Sequence, residues 1–284
     1  MKKPSLNHIF RLVWNDALGV YVPVAEHASA RRKRASGSAA ALTAALLMSG
    51  PALAADLPTG GNVVAGAGSI SQNGSAMTIN QQTGKMAVDW QSFSIGKGNS
   101  VTFNQPGRDS VALNRVLGPD VSVIQGALNA NGQVFLVNPN GVVFTPTAQV
   151  NVGGIVASTL NISTQDFLAG NYKFEGASSN AIINQGNITA APGGSIALIA
   201  AKITNTGNLT ADKGNVLLGA GSRVKLDLGG PVKIEVEQGA IDALIEQGGA
   251  IRADGGTVYL TAKAAGDLAS TVINHTGITP VSYT

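Results

Sequence analysis

From position 55 onward the chain holds a single histidine, His275, and the whole chain holds no cysteine. A lone imidazole with no serine and acid at motif spacing reads as a surface or loop group, not a general base. Without cysteine there is no thiolate nucleophile, no thiolate zinc site and no disulfide framework. Glu235 and Glu237 would share one face of an extended strand, the placement an acid–base carboxylate pair needs. Lys225 and Lys233 lie near them in sequence, so a solvated charged face is the better reading. Gly66-Ala67-Gly68 lacks the continuation of a dinucleotide loop. The N-x-[ST] sequons at Asn73, Asn161, Asn187 and Asn208 read as strand-and-turn composition. What remains is Asn138-Pro139-Asn140-Gly141. Here proline fixes φ and the flanking asparagines can cap local backbone groups, which is turn chemistry rather than catalysis.

The elements that carry these residues read as strands. Short runs of Val, Ile, Phe, Leu and Thr recur between Gly, Asn and Asp, as in Val134-Phe135-Leu136-Val137 and Val142-Val143-Phe144. Asn-Gly pairs at Asn73-Gly74, Asn131-Gly132 and Asn140-Gly141 predict corners with positive φ. The segment Asn184-Gln185-Gly186-Asn187-Ile188-Thr189-Ala190 returns as Asn205-Thr206-Gly207-Asn208-Leu209-Thr210-Ala211, an offset of 21. Weaker copies follow at 246–253 and 274–278. A period near 21 without a leucine-rich helical half fits one coil of a β-helix. The fold class is all-β: a right-handed parallel β-helix with an N-terminal β cap and small extra-helical elements. The cap is expected over 56–100. Short helices are expected over 237–246 and 262–272.

Composition agrees once the chain is divided. It has 284 residues, 36 of them glycine, with 12% charged, 5% aromatic and a formal net charge of +3. Positions 1–54 hold seven basic side chains against two acidic ones, a net +5. Positions 55–284 hold 12 against 14, a net −2, so the basic character belongs to the leader and no nucleic-acid partner is implied. A basic region, a short apolar run over 39–48 and the small residues Ala52 and Ala54 make a secretory signal, with cleavage expected between Ala54 and Ala55. The apolar run is too short to span a bilayer. Three segments follow: a leader at 1–54, a β-helical domain at 55–278, and a non-repeat tail at 279–284. The tail predicts a fragment or a truncated passenger.

The leader carries an unusual extension, Asn7-His8-Ile9-Phe10-Arg11-Leu12-Val13-Trp14-Asn15-Asp16-Ala17-Leu18-Gly19-Val20-Tyr21-Val22-Pro23-Val24-Ala25-Glu26. It resembles the extended signal peptide region of large Gram-negative secreted proteins. The block Asn114-Arg115-Val116, the run from Ile124 through Asn138-Pro139-Asn140-Gly141 to Phe144, and the segment 150–159 resemble the secretion domain of two-partner secretion exoproteins. These are of the filamentous haemagglutinin type, and the likeness is to the high-molecular-weight adhesin subgroup. No Asn-Pro-Asn-Leu segment of the haemagglutinin branch is present. The resemblance implies export by the general secretory machinery. It then implies recognition by a dedicated outer-membrane partner transporter with periplasmic receptor modules. The protein would be secreted or held at the cell surface, with adhesion to host cells through a downstream region. By motif match, Asn138, Pro139, Asn140 and Gly141 form the secretion turn, and Asn114, Arg115 and Val116 a second family block. No cofactor, metal or enzymatic activity is called for. The alternatives are a β-helical polysaccharide lyase or hydrolase, or the secretion domain of a haem-acquisition protein, a cytolysin or a contact-dependent toxin. The charged side chains of positions 55–284 are few and dispersed, which is sparse for a polysaccharide-cleaving face.

Overall fold

The computed structural model describes residues 57–228, 233–265 and 273–279, with the backbone of two leader strands. Those strands, Phe10–Asn15 and Val20–Ala25, pair antiparallel with Phe10 opposite Ala25. They belong to a unit of their own, separate from the one that begins at Pro51. The cleavage residues Ala52, Ala54 and Ala55 lie outside the described residues.

From Leu57 onward the chain coils into three walls. The first wall stacks Asn62–Ala65, Lys85–Trp90, Val111–Val116, Gln133–Val137, Gly154–Ser158, Ser195–Ala200, Asn215–Ala220 and Thr257–Ala262. The second stacks Gly68–Asn73, Ala76–Gln81, Ser100–Asn104, Ala127–Ala130, Gln149–Val152, Asn187–Ala190, Asn208–Thr210 and Ala250–Arg252. The third begins later, from Ser122–Ile124 through Val142–Phe144, Ala181–Asn184, Lys202–Asn205 and Leu244–Gln247 to Ile273–His275. Pairing is parallel except at the N-terminal end. There Asn62–Ala65 and Gly68–Asn73 run antiparallel to the strands beside them and cap the stack.

Parallel register turns the repeat into columns. On the second wall Met77, Val101, Leu128, Val150, Ile188, Leu209 and Ile251 succeed one another, all pointing inward and all buried. Successive strands lie about 4.8 Å apart, so each inward side chain packs on the one before it. The offset of 21 is realised as Asn184 beside Asn205 and Asn187 beside Asn208.

Glycine is needed where coils touch backbone to backbone. A Cβ on Gly194 would meet the carbonyl of Gly153, one on Gly214 that of Gly194, and one on Gly256 that of Gly214. A second such column runs through Gly186, Gly207, Gly249 and Gly277. Gly74 and Gly141 take positive φ, +56° and +116°, as their Asn-Gly pairs predict. Gly132 does not. Its corner is glycine because the Ser110 and Gly107 carbonyls would lie 2.7 Å and 2.8 Å from a Cβ.

From Lys85–Trp90 to Asn215–Ala220 the first wall is covered on both faces. Its outward column Ala87, Leu113, Phe135, Val156, Ala197 and Leu217 packs under an outer three-stranded antiparallel sheet, Tyr172–Glu175, Arg223–Asp227 and Lys233–Gln238. Phe135 meets Tyr172 edge-on at 5.0 Å and Phe167 at 6.0 Å. Phe167 comes from the one helix among the described residues, α1 (Thr164–Ala169). Ser163 caps it: Asp166 N–H donates to Ser163 Oγ at 3.0 Å, and Ser163 Oγ–H donates to the Asp166 carboxylate at 2.6 Å. The Ser163 hydroxyl, then the Asn171 amide, hold the Asp166 carboxyl below its ordinary pKa.

The helix expected over 237–246 is not formed. Lys233–Gln238 is an outer-sheet strand whose Ile234 packs inward, and Leu244–Gln247 is a rung of the third wall with Ile245 beneath Ile203. Alternation of charge and apolar groups favoured a strand, and stacking overrode local helix propensity. Of the helix expected over 262–272, residues 266–272 lie outside the described residues. Ala262 ends a first-wall strand and Ala264 makes an isolated bridge to Ala240.

Candidate functional site at the Asn-Pro-Asn-Gly corner

The two sequence blocks lie one coil apart at one corner. Leu136 is beside Asn114 and Val137 beside Arg115 in the first wall. Each strand then leaves the wall and turns toward the third, through 117–121 after the first and 138–141 after the second.

Asn138 is fully buried. Its Nδ2 donates to the Asp120 carbonyl and to Ser122 Oγ, both at 2.9 Å. Its Oδ1 accepts from the Asn140 N–H at 2.9 Å, and its carbonyl accepts from the Gly141 N–H at 3.0 Å. Asn140 Nδ2 reaches back to the Gly118 carbonyl at 2.8 Å. The Pro139 carbonyl accepts from Ser178 Oγ at 2.6 Å and from Asn180 Nδ2 at 2.8 Å. The turn therefore ties three coils together: its own, the preceding one through 118–122, and the following one through 178–180. Gly141 supplies the backbone conformation that other residues resist.

The earlier block alternates across the wall. Asn114 points inward, fully buried, and accepts from Trp90 Nε1 at 3.0 Å. Its Nδ2 faces the Ala112 and Phe135 carbonyls, each at 3.3 Å. Val116 is buried in the inner core. Arg115 points outward and pairs with Asp89, its register neighbour, at 2.7 Å. Its other nitrogen reaches the Ile162 carbonyl at 3.4 Å and Thr164 Oγ1 at 3.3 Å, at the start of α1. Lys85 holds the far end of α1 through the Phe167 and Leu168 carbonyls, at 3.1 Å and 2.8 Å.

Sequence reasoning missed Asp89, Lys85, Ser122, Ser178 and Asn180. Arg115 and Asp89 are separated by 26 positions, and Asn180 and Pro139 by 41. Neither spacing matches the repeat offset of 21, so no periodicity pointed to them.

The residues weighed for catalysis do not assemble. His275 is exposed at the end of its strand, with Nε2 2.8 Å from Thr279 Oγ1. Glu235 sits opposite Lys225 on the outer sheet, and Glu237 lies 3.9 Å from Lys173. Among the described residues no three His, Asp or Glu side chains converge as a metal site would require.

A family model described as the TPS secretion domain matches residues 54–280, and one for the extended signal peptide of type V secretion systems matches 7–55. The chain belongs to the two-partner secretion family. Its secretion domain is 36% identical over 227 residues to a heme/hemopexin-binding protein of Haemophilus influenzae, an alignment covering 75% of this chain and 24% of that protein. A second heme/hemopexin-binding protein of that species is 46% identical over 98 residues, 34% of this chain and 11% of the relative. The crystal structure of the HMW1 secretion domain from Haemophilus influenzae superimposes with a TM-score of 0.62 at 29% identity, covering 71% of this chain and 57% of that one. The chain thus spans about a quarter of the length of the first of these relatives. It carries the secretion domain of a two-partner exoprotein, a β-helix exported across the periplasm and outer membrane. Its family is one of secretion domains, not of enzymes.

Proposed function

We propose that residues 55–278 address the exoprotein to a dedicated outer-membrane partner transporter with periplasmic receptor modules, and seed β-helix folding as the chain emerges. The leader is cleaved between Ala54 and Ala55, which N-terminal sequencing of the exported protein tests. The Asn138-Pro139-Asn140-Gly141 turn serves export by holding its corner. The observation behind this role is that the motif's side-chain amides and the Pro139 carbonyl are engaged within the protein, across three successive coils. Replacing both asparagines by alanine (N138A/N140A) removes their side-chain bonds to Asp120, Ser122 and Gly118, keeps the Pro139 carbonyl bonds, and leaves the buried partners of Asn138 unpaired. The domain then loses about 2–4 kcal/mol of stability, and secretion falls in cells carrying the transporter. Wild-type stability and secretion of this variant contradict the role.

For the whole exoprotein, the resemblance of its 114–116 and 124–159 blocks to the high-molecular-weight adhesin subgroup favours an adhesin-like surface protein that binds host cells. A second reading, haem acquisition, is favoured by the two relatives named for heme and hemopexin binding. Pull-down of hemopexin by the full-length exported protein, against binding to cultured host cells, separates the two.

A further inference from the structure

An asparagine followed by glycine is a chemically labile pair, because glycine has no Cβ to shield its backbone nitrogen from the neighbouring amide. The chain has three such pairs, each at a turn: Asn73-Gly74, Asn131-Gly132 and Asn140-Gly141. Their fate depends on whether the glycine nitrogen and the asparagine amide are free to meet. At two of the turns neither is free. The Gly132 N–H donates to Gln105 Oε1 at 3.0 Å. Asn131 Nδ2 donates to the Gln105 carbonyl, and Asn131 Oδ1 accepts from the Gln105 N–H, both at 2.8 Å. The Gly141 N–H donates to the Asn138 carbonyl at 3.0 Å. Asn140 Nδ2 donates to the Gly118 carbonyl at 2.8 Å and to Asn138 Oδ1 at 3.2 Å.

The third turn is open. Asn73 ends the strand Gly68–Asn73 and pairs with Ala76, which leaves Gly74 and Ser75 as the two-residue loop of a hairpin in the N-terminal cap. Gly74 takes the first loop position with φ +56°, as a type II′ turn requires. Asn73 and Gly74 are both exposed, and a Cβ on Gly74 would meet no heavy atom within 4 Å. Among the described residues the Asn73 amide has no hydrogen-bond partner and the Gly74 N–H has no acceptor. Gln72 Nε2 reaches the Gly74 carbonyl at 3.3 Å, and the Ser100 N–H of the next coil donates to the Ser75 carbonyl at 2.9 Å. Both contacts leave the Gly74 nitrogen free.

We propose that Asn73 is a site of spontaneous deamidation, with water as the co-reactant, and that the other two Asn-Gly pairs are protected by the turns that hold them. The Gly74 nitrogen attacks Asn73 Cγ. The N–Cγ bond forms, the Cγ–Nδ2 bond breaks, and ammonia leaves with the proton that the Gly74 nitrogen gives up. Water then opens the cyclic imide. Attack at Cγ gives aspartate, and attack at the backbone carbonyl carbon of Asn73 gives isoaspartate, so amide and water become carboxylate and ammonium. The new carboxylate lies at the end of the outermost strand of the second wall, where a charge opposes pairing with a strand from another chain. The secretion motif keeps its amide, because the bonds that build its turn also occupy the Gly141 nitrogen and the Asn140 amide.

The test incubates the purified exported protein in mildly alkaline buffer, folded in one arm and in denaturant in the other. Peptide mass mapping follows the amide-to-acid conversion at each pair, and isoelectric focusing follows the acidic species. In the folded protein Asn73 converts about tenfold or more faster than Asn131 and Asn140, since each of those must first give up several hydrogen bonds. In denaturant the three pairs convert at similar rates. Asn73→Gln removes the acidic species that the folded wild type accumulates. Conversion of Asn131 or Asn140 in the folded protein as fast as Asn73 overturns the protection. An intact Asn73 in the folded protein, beside conversion of all three pairs in denaturant, overturns the site. So does an acidic species that persists unchanged in N73Q.

Discussion

At the scale of single residues, the polar groups inside the coil explain how asparagine can sit where valine would be expected. Asn184, Asn205 and Gln247 occupy one inward column of the third wall, each fully buried. Asn184 Nδ2 donates to Asn205 Oδ1 at 2.7 Å, and Asn205 Nδ2 to Gln247 Oε1 at 2.8 Å. A buried amide costs little only while it is paired. Asn205→Ala strands a donor on one side and an acceptor on the other, so it should cost about 2–5 kcal/mol in chemical denaturation of the mature domain. Asn208→Ala, on the exposed side of the same coil, should cost under about 1 kcal/mol. The pairing of Asn184 with Asn205 was legible because the two repeat at the coil length, whereas their burial was not marked by the repeat. Asn138 was legible only as a turn. Its partners at 118–122 and 178–180 depend on how much chain each neighbouring coil spends outside the walls, which no period records.

At the scale of elements, two features set the architecture. The glycine columns let corners stack without separation. Gly194→Ala places a methyl against the Gly153 carbonyl and should cost about 2–4 kcal/mol. Gly84→Ala, where no heavy atom lies within 4 Å of the added carbon, should be close to neutral. Thermal unfolding of the two variants compares them directly. The outer sheet and α1 are the second feature. The sequence held signs of both: first-wall strands such as Ser195–Ala200 read as continuous apolar runs, which strands take when both faces are covered. Ser163-Thr164-Gln165-Asp166 resembles a capping box, yet local propensity draws the helix expectation to 237–246 instead. Strand against helix was decided there by Ile245 stacking beneath Ile203 and, just ahead of the segment, by Ile234 packing on the outer face of the first wall in a cluster it shares with Leu217, Val224 and Phe174. Phe174 is distant in sequence, and local propensity carries no trace of such a contact.

At the scale of the whole molecule, the domain is nearly one-dimensional: each coil is stabilised by the coils beside it, and the antiparallel cap closes one end. Absence of cysteine suits a chain that crosses a membrane extended and folds afterwards. Thr189 and Thr210 are register neighbours on adjacent coils of the second wall. Their Cα separation, about 4.8 Å for paired strands, falls within the span a disulfide bridges. T189C/T210C should therefore accumulate in the periplasm under oxidising conditions and be released by a reductant. Secretion of the oxidised form at the wild-type rate would show that the coils cross already folded. The amide column adds a directional consequence. Between neighbouring coils the N–H of the earlier side chain meets the oxygen of the later one, from Asn184 to Asn205 and from Asn205 to Gln247. A half-assembled stack thus shows waiting donors at its leading rim. A later side chain that offers an oxygen completes the bond, and an ammonium in its place leaves a donor facing a donor. The two edges of each rung are thus chemically distinct, the later-facing edge presenting donors and the earlier-facing edge acceptors, as the two ends of a polar filament are.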